Sequence, residues 1–175
     1  MIKCRSILVA VFTALLISGC ASTALTSDIT VEAQAAPGAK INELKSYAWV
    51  ATAQILNDPQ GQWEPREFDA DAEIQFLIDR ELRKRGIEET MSGADLLVMY
   101  LGGIDMAALE EKLDPNTQMK TLQNVPQGGL VIALIDARTG FVIYAATATA
   151  EIRNLPSEQV KQRLDYAVTQ MIKQL

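Results

Sequence analysis

The stretch from Phe141 to Ile152 has an apolar residue at every second position. The intervening positions become polar toward its end, with Thr147, Thr149 and Glu151. Because successive side chains of a strand point to opposite faces, this period of two predicts a strand with one buried face. Several of the inward residues are alanine, which lets a helix approach the sheet closely. Residues 157–175 supply such a helix, because their apolar residues keep one stripe at helical spacing.

Three further segments are predicted to be strands. Residues 130–135 lead into a turn at 136–140, where Gly140 can adopt the positive φ that the turn needs, so they form a hairpin with the first strand. Residues 46–50 form a short strand, and residues 94–101 are apolar on both faces. A strand that is buried on both faces lies inside a sheet, so we expect 94–101 to be central.

A second helix is predicted at Asp71–Arg85. Its aspartate is the expected N-cap, its apolar residues recur at helical spacing, and Gly86 suits the left-handed conformation that follows a helix. The segment 51–68 contains proline breakers and is predicted to be a loop. The segment 102–128 is predicted to be a second loop, with a short helix at 106–113.

The order of these elements predicts an α+β fold. We expect an antiparallel or mixed sheet of four to five strands, with two helices packed on one face, in a single domain at 44–175. Residues 20–43 are rich in Ala, Ser and Thr and keep no period, which predicts a flexible tether, although 26–32 could add a local strand. The length of 175 residues, with 49 % hydrophobic and 22 % charged residues, is typical of one globular domain.

The N-terminal segment has the organisation of a signal peptide. Lys3 and Arg5 form a basic start, and the apolar run Ile7–Ile17 is too short to cross a bilayer, which needs about 20 residues. The run ends in Leu16–Cys20, which resembles a bacterial lipobox, an aliphatic residue and small residues before a cysteine. An ordinary secretory peptide, cleaved near 21–24, is the alternative.

The lipobox resemblance implies that residues 1–19 are removed and that Cys20 becomes the first residue. It further implies a diacylglyceryl thioether and an N-acyl chain on Cys20 as the membrane anchor, and no other cofactor is expected. Ala21 rather than an aspartate after the cysteine implies the outer membrane, with the domain facing the periplasm. Because Cys4 leaves with the signal peptide, the mature chain has neither a free thiol nor a disulfide.

The domain presents a series of short motifs: Ser46–Val50, Leu82–Gly86, Ala94–Val98, Gly129–Ile132, the turn Asp136–Gly140 and a final amphipathic helix. In this order, over roughly 40–175, they resemble the bacterial lipoprotein family of domain of unknown function 4136. The chain departs from the family at Tyr144–Ala146, where a Trp-x-Gly sequence is common. The resemblance implies this fold and an envelope location, and it implies no particular activity.

The sequence contains no histidine, and its formal charge is −6, from 16 basic and 22 acidic residues. The lack of histidine excludes Ser-His, Cys-His and His-metal sites, so we expect no metal and no catalytic residue set. The acidic balance argues against a nucleic-acid partner. Loss of Lys3 and Arg5 changes the charge from −6 to −8, so membrane association has to come from the lipid.

Tyr47, Trp49 and Trp63 are the candidate ligand-contacting residues. Tyr47 and Trp49 stand two positions apart and so share one strand face, and Trp63 lies in the following loop. They form either an aromatic platform that stacks on a glycan or peptide, or a set of sheet-face aromatics buried under a helix.

Two charged clusters have structural explanations. Residues 69–73 begin like a calcium loop, but Ile74 and Arg80 stand where such a loop needs Gly and Glu, so helix capping explains the cluster. The basic residues Arg80 and 83–85 suit the end of a helix and a solvated face, with a phosphate or lipid-headgroup site as the alternative.

Three functions remain open at this point. The first is a non-enzymatic binding or structural module of the envelope, with an envelope protein or peptidoglycan as its partner. The second is a hydrolase or lyase in which Asp95 or Asp136 acts as the base, which requires a shared pocket and raised carboxylate pKa values. The third is a carrier of an apolar ligand or lipid, which requires a cavity of several hundred Å³ between the sheet and the helices.

Overall fold

The computed structural model describes residues 21–113 and 120–175. The predicted signal peptide at 1–19 and Cys20 lie outside the described residues. The strands are β1 Thr30–Ala35, β2 Ser46–Asn57, β3 Glu88–Glu89, β4 Leu96–Asp105, β5 Leu109–Leu113, β6 Lys120–Asn124, β7 Gln127–Asp136 and β8 Val142–Glu151. The helices are α1 Ala21–Thr26, α2 Ala70–Lys84 and α3 Ser157–Lys173, with a 3₁₀ turn at Ile41–Glu43.

The main sheet has six strands in the order β1-β8-β7-β4-β2-β3, and β5 pairs with β6 in a separate two-stranded sheet. The sheet is mixed, because β2 runs parallel to β3 and β4 while the other pairs are antiparallel. The α+β class, the β7–β8 hairpin and the central position of β4 are confirmed. The described residues hold more elements than predicted, with six strands in the main sheet and three helices.

Both long helices pack on the same face of the sheet. The hydroxyl of Tyr144 on β8 donates to the carbonyl of Met171 on α3, and the hydroxyl of Tyr47 on β2 donates to Asp79 on α2. These side chains belong to one hydrophobic core. The alternation predicted for 141–152 is confirmed, because Tyr144, Ala146 and Ala148 are buried.

The N-cap of helix α2 lies two residues earlier than predicted. Asp69, not Asp71, is its N-cap, with a carboxylate that accepts a 3.1 Å hydrogen bond from the amide of Ala72. Asp71 instead accepts a hydrogen bond from the Tyr100 hydroxyl in the core. At the other end, Gly86 has the predicted positive φ, at 73°.

Strand β2 is longer than predicted and includes 51–57, which the prolines of the following segment had suggested was loop. A β-bulge between Trp49 and Ala51 shifts the register against β4. The extra residue, Val50, changes which side chains face the helices. Tyr47 and Trp49 face them before the bulge, and even-numbered residues do so after it.

The segment 102–128 is not a loop with a helix at 106–113. Its first residues extend β4, where Gly102 pairs with Leu130 and Gly103 pairs with Gly129. Residues 109–113 and 120–124 form the β5–β6 pair, which carries a cross-strand ion pair of 2.8 Å between Lys120 and Glu111. Opposite charges on facing strands favour this pairing over a helix.

The segment 20–43 is not a flexible tether over its described part. Strand β1 pairs with β8 along its whole length, and Val31 and Ala33 pack against the core. Asp28 fixes the entry to this strand, because both of its carboxylate oxygens accept 2.7 Å hydrogen bonds from Arg163 on α3. The segment therefore contains an edge strand that is held by backbone pairing and by the ion pair between Asp28 and Arg163.

We expect Asp28→Asn to lower the free energy of unfolding by about 3 kcal/mol, because it leaves the buried guanidinium of Arg163 without its bidentate counter-ion. The hydrogen bond from Arg163 lowers the pKa of Asp28 below its ordinary value of 3.8. The carboxylate therefore contributes fully above pH 4 or so, and its contribution is lost as the pH falls through the lowered value. The variant should lose this part of the pH dependence in urea unfolding.

Glu43→Gln is the matched control, because Glu43 forms an exposed ion pair of 3.0 Å with Lys40. Exposed pairs contribute little, so this variant should unfold like the parent. Equal stabilities of the two variants would contradict the anchoring role of Asp28.

Candidate functional site

A cavity of about 320 Å³ lies between the sheet and the N-terminal parts of α2 and α3. Its floor consists of the ends of β4, β7 and β8, and its roof includes Ile74 of α2 and Leu164 of α3. The loop between β2 and α2 closes one side with Trp63, Arg66 and Phe68. Most of the lining is therefore apolar, and the cavity has the size and character of a small-ligand pocket.

The cavity exists because the strand residues that face the helices become small at this end of the sheet. On β4 the inward residue after Tyr100 is Gly102, which pairs with Leu130 on β7. On β7 the inward residue before Leu130 is Gly128, which pairs with Ala150 on β8. A side-chain carbon built on Gly102 would meet its nearest neighbour, a carbon of Gln54, at 3.8 Å. Glycine at position 102 therefore leaves room rather than avoiding a clash, whereas a carbon built on Gly128 would meet a side-chain carbon of Ile152 at 2.9 Å.

The bulge in β2 completes the same surface. Because it reverses the alternation, Gln54 lies in register with Gly102 and Leu56 lies in register with Ile104, and all four line the cavity. Leu56 is 53 % exposed, which places it at the mouth. Without the bulge, the side chains of this part of β2 would point to the opposite face.

Asp58 folds the loop that carries the side wall. Its carboxylate accepts hydrogen bonds from the amides of Gln62 at 2.9 Å and Trp63 at 2.7 Å, and these bonds lower its pKa. The guanidinium of Arg66 lies 5.2 Å from the centre of the Trp63 ring, a cation–π contact. The turn therefore presents an aromatic ring and a cation together at the cavity.

The structure separates the three predicted aromatic residues. Only Trp63 lines the cavity; Tyr47 is 1 % exposed and Trp49 lies beside it, with ring centres 6.4 Å apart. Both donate to one carboxylate oxygen of Asp79, Tyr47 at 2.5 Å and Trp49 at 3.0 Å. Burial and this carboxylate raise the pKa of the Tyr47 hydroxyl. Tyr47 is thus a buried aromatic residue under helix α2, and the partly buried Trp49 packs against the same core.

Asp95 and Asp136 lie at neighbouring strand ends, but neither has the raised pKa that the hydrolase hypothesis requires. Hydrogen bonds from the amide of Lys45, and then from Ser46, lower the pKa of Asp95. The amide of Thr139 is the main cause that lowers the pKa of Asp136. The Asp136 carboxylate holds the β7–β8 turn, and the Asp95 carboxylate accepts hydrogen bonds from Lys45 and Ser46 at the start of β2, so neither meets this expectation of the hydrolase hypothesis.

Two of the basic residues near the end of α2, Arg80 and Lys84, are engaged in ion pairs. Arg80 contacts Asp165 on α3 and also Glu81, at 2.6 Å, and Lys84 contacts Glu81 at 2.8 Å. The bond to Asp165 is the main cause that raises the pKa of Arg80. Within residues 21–113 and 120–175, no group of three or more acidic, cysteine or histidine side chains is placed to hold a metal ion.

Sequence reasoning missed the glycine pairs and Arg66. Residues 102–128 are predicted to be a loop, whereas the glycine pairs 102–103 and 128–129 lie in β4 and β7 and line the cavity. Their signal was that each adjoins an apolar run of strand character, 94–101 or 130–135. Glycine in a strand marks a place where side-chain volume is missing. Nothing in the sequence singled out Arg66.

Comparisons with known proteins agree on the family and on the fold. The model of the family described as domain of unknown function (DUF4136) matches residues 31–175. A search of curated proteins found no match. No helix in the described part of the chain combines the length and the hydropathy needed to cross a membrane.

Two solved structures share the fold at a TM-score of 0.54 each. A DUF4136 family protein from Bacteroides thetaiotaomicron is 12 % identical, and the match covers 84 % of this chain and 95 % of that one. A PDZ domain protein from Parabacteroides distasonis is 14 % identical, and the match covers 87 % of this chain. The chain spans only 39 % of that second protein's length.

We expect Asp79→Ala to lower the free energy of unfolding by about 2 to 4 kcal/mol, because it leaves the Tyr47 hydroxyl and the Trp49 indole without an acceptor. Asp79→Asn keeps an acceptor oxygen at the same place and should lose less. Urea unfolding followed by tryptophan fluorescence measures both. An equal loss in the two variants would show that the hydrogen bonds do not matter.

Proposed function

The chain belongs to the DUF4136 family, and on that premise we propose that it is a non-enzymatic, lipid-anchored envelope protein whose domain binds an apolar ligand. The observation that carries the proposal is the cavity of about 320 Å³ between the sheet and the helices. Ligand pockets in proteins measure roughly 300–1,000 Å³ and are mostly apolar with a few polar groups. The volume of this cavity lies at the lower end of that range, and its lining is mostly apolar with a few polar groups.

The lipobox at Leu16–Cys20 supports the location. Acyl chains on Cys20 would anchor the protein in the outer membrane, with the domain in the periplasm. Two or more chains are needed for stable anchoring, at about 0.8 kcal/mol per buried methylene. An acidic domain gains nothing from anionic headgroups, so the lipid is the membrane contact in this proposal.

A binding function suits the site better than hydrolysis. The carboxylates of Asp95 and Asp136 are held in their charged form by backbone amides and lie outside the cavity lining. Of the described carboxylates, only that of Glu151 lines the cavity, and it is paired with Lys112 at 3.0 Å and with Arg153 at 3.7 Å.

We expect Cys20→Ala to move the protein from the membrane fraction to the soluble fraction, because the variant has no sulfur to receive the lipid. Intact mass should show the acyl groups on the parent and none on the variant. A parent protein that is cleaved at another position and carries no lipid would contradict the anchor.

Gly102→Leu should weaken the binding of N-phenyl-1-naphthylamine, an apolar fluorescent probe, at least tenfold. The added side chain enters the cavity from its floor, where the first carbon meets its neighbours only at 3.8 Å or more. The measurement is probe fluorescence against the concentration of the Cys20→Ala protein, which is free of bound acyl chains.

Ala133→Leu is the matched control. Ala133 lies on β7 between the buried residues Ile132 and Leu134, so its side chain points to the opposite face of the sheet, and it does not belong to the cavity lining. It should bind the probe like the parent, and circular dichroism should show both variants folded. Equal binding by parent and Gly102→Leu would remove the cavity as the binding site.

A further inference from the structure

Among the residues that the structure describes, three charged ones line the cavity: Arg66, Glu151 and Arg163. The charge of Arg163 is neutralised by Asp28, whose carboxylate accepts two hydrogen bonds of 2.7 Å from the Arg163 guanidinium. Glu151 is neutralised by its ion pairs with Lys112 and Arg153. Arg66 takes part in none of the ion pairs formed within the described residues, so its charge is the uncompensated one in the lining.

Arg66 also makes fewer hydrogen bonds than its guanidinium can donate. A guanidinium has five N–H groups. Within the described part of the chain Arg66 donates to two carbonyl oxygens, that of Arg153 at 3.3 Å and that of Leu155 at 3.4 Å. Both bonds are long, and they fix the half-buried side chain against the segment after β8 while the Trp63 ring supports its face.

We propose that Arg66 recognises the carboxylate of a single-chain amphiphile whose alkyl chain occupies the cavity. This inference rests on the proposed binding function and adds the class of ligand, a fatty acid or a similar acyl carboxylate. The planar guanidinium fork matches a carboxylate in bidentate geometry, and charge-assisted hydrogen bonds of this kind are about twice as strong as neutral ones.

The arrangement separates the two parts of such a ligand. The alkyl chain would lie over the small residues Gly102, Gly128 and Ala148, where it displaces no polar group. The carboxylate would lie at the side wall beside Trp63, where Arg66 is held in position before the ligand arrives. Pre-organisation of this kind reduces the entropic cost of binding.

The test is competition against N-phenyl-1-naphthylamine bound to the Cys20→Ala protein, with dodecanoate, 1-dodecanol and dodecyl phosphate below their micelle-forming concentrations. Dodecanoate should compete about tenfold better than dodecanol. In Arg66→Gln this preference should disappear while dodecanol competes as before, and in Arg66→Lys the preference should fall only in part. Arg138→Gln, which removes an exposed arginine in the β7–β8 turn, is the control and should keep the parent's preference.

Each of the other outcomes contradicts a specific part of the proposal. Equal competition by acid and alcohol, or a preference that survives Arg66→Gln, overturns the role of Arg66 while the apolar cavity stands. A stronger, Arg66-dependent preference for dodecyl phosphate overturns the carboxylate and assigns a phosphate headgroup. Absence of probe binding in the parent overturns the cavity proposal itself, and the headgroup assignment with it.

Discussion

The helix-facing surface of the sheet changes from large to small side chains along its strands, and this gradient governs how the helices sit. At one end Tyr47, Tyr100 and Tyr144 fill the space under α2 and α3 and leave no room for a ligand. At the other end glycine and alanine replace them, and the helices cannot follow the sheet inward because they already rest on the tyrosines. Because the helices are rigid, a cavity remains where the side chains on the helix-facing surface of the sheet are small.

Polar contacts across this interface make the arrangement specific. The core tyrosines donate to acceptors on the helices, and within the described residues every buried side-chain nitrogen or oxygen has a hydrogen-bond partner. Such bonds contribute modestly when made, but a buried polar atom without a partner is costly, so they penalise alternative packings. Asp28 extends the same principle to the N-terminal segment. Its ion pairs with Arg163 and Arg153 join β1 to the end of β8 and to α3, which together form one side of the cavity.

The parts of this fold that were predictable from sequence are those with a strong hydrophobic period. The β7–β8 hairpin, the central strand and both long helices follow from side-chain alternation or helical stripes. Strand β1, the second half of β2 and the β5–β6 pair were not predicted in full. They are held mainly by backbone pairing, a bulge and cross-strand charge, and β1 adds the small side chains of Val31 and Ala33 to the core. The cavity was anticipated only as a requirement of one hypothesis. Its floor lies where the strands carry glycine and alanine instead of large side chains. The importance of Arg66 depends on which charged residues the fold places near it, and the sequence alone does not show this.

The charge of the whole chain bears on how the site could select its ligand. With 16 basic and 22 acidic residues, the protein as a whole repels anions. At physiological ionic strength, charges separated by more than about 8 Å are largely screened, so distant carboxylates have little influence inside the cavity. An uncompensated guanidinium against an apolar wall acts at short range in a medium of lower effective dielectric, where its attraction is stronger than in water. An acidic domain can therefore bind an anionic amphiphile through one local cation, provided that the other charged groups in the lining are already neutralised, as Arg163 and Glu151 are here.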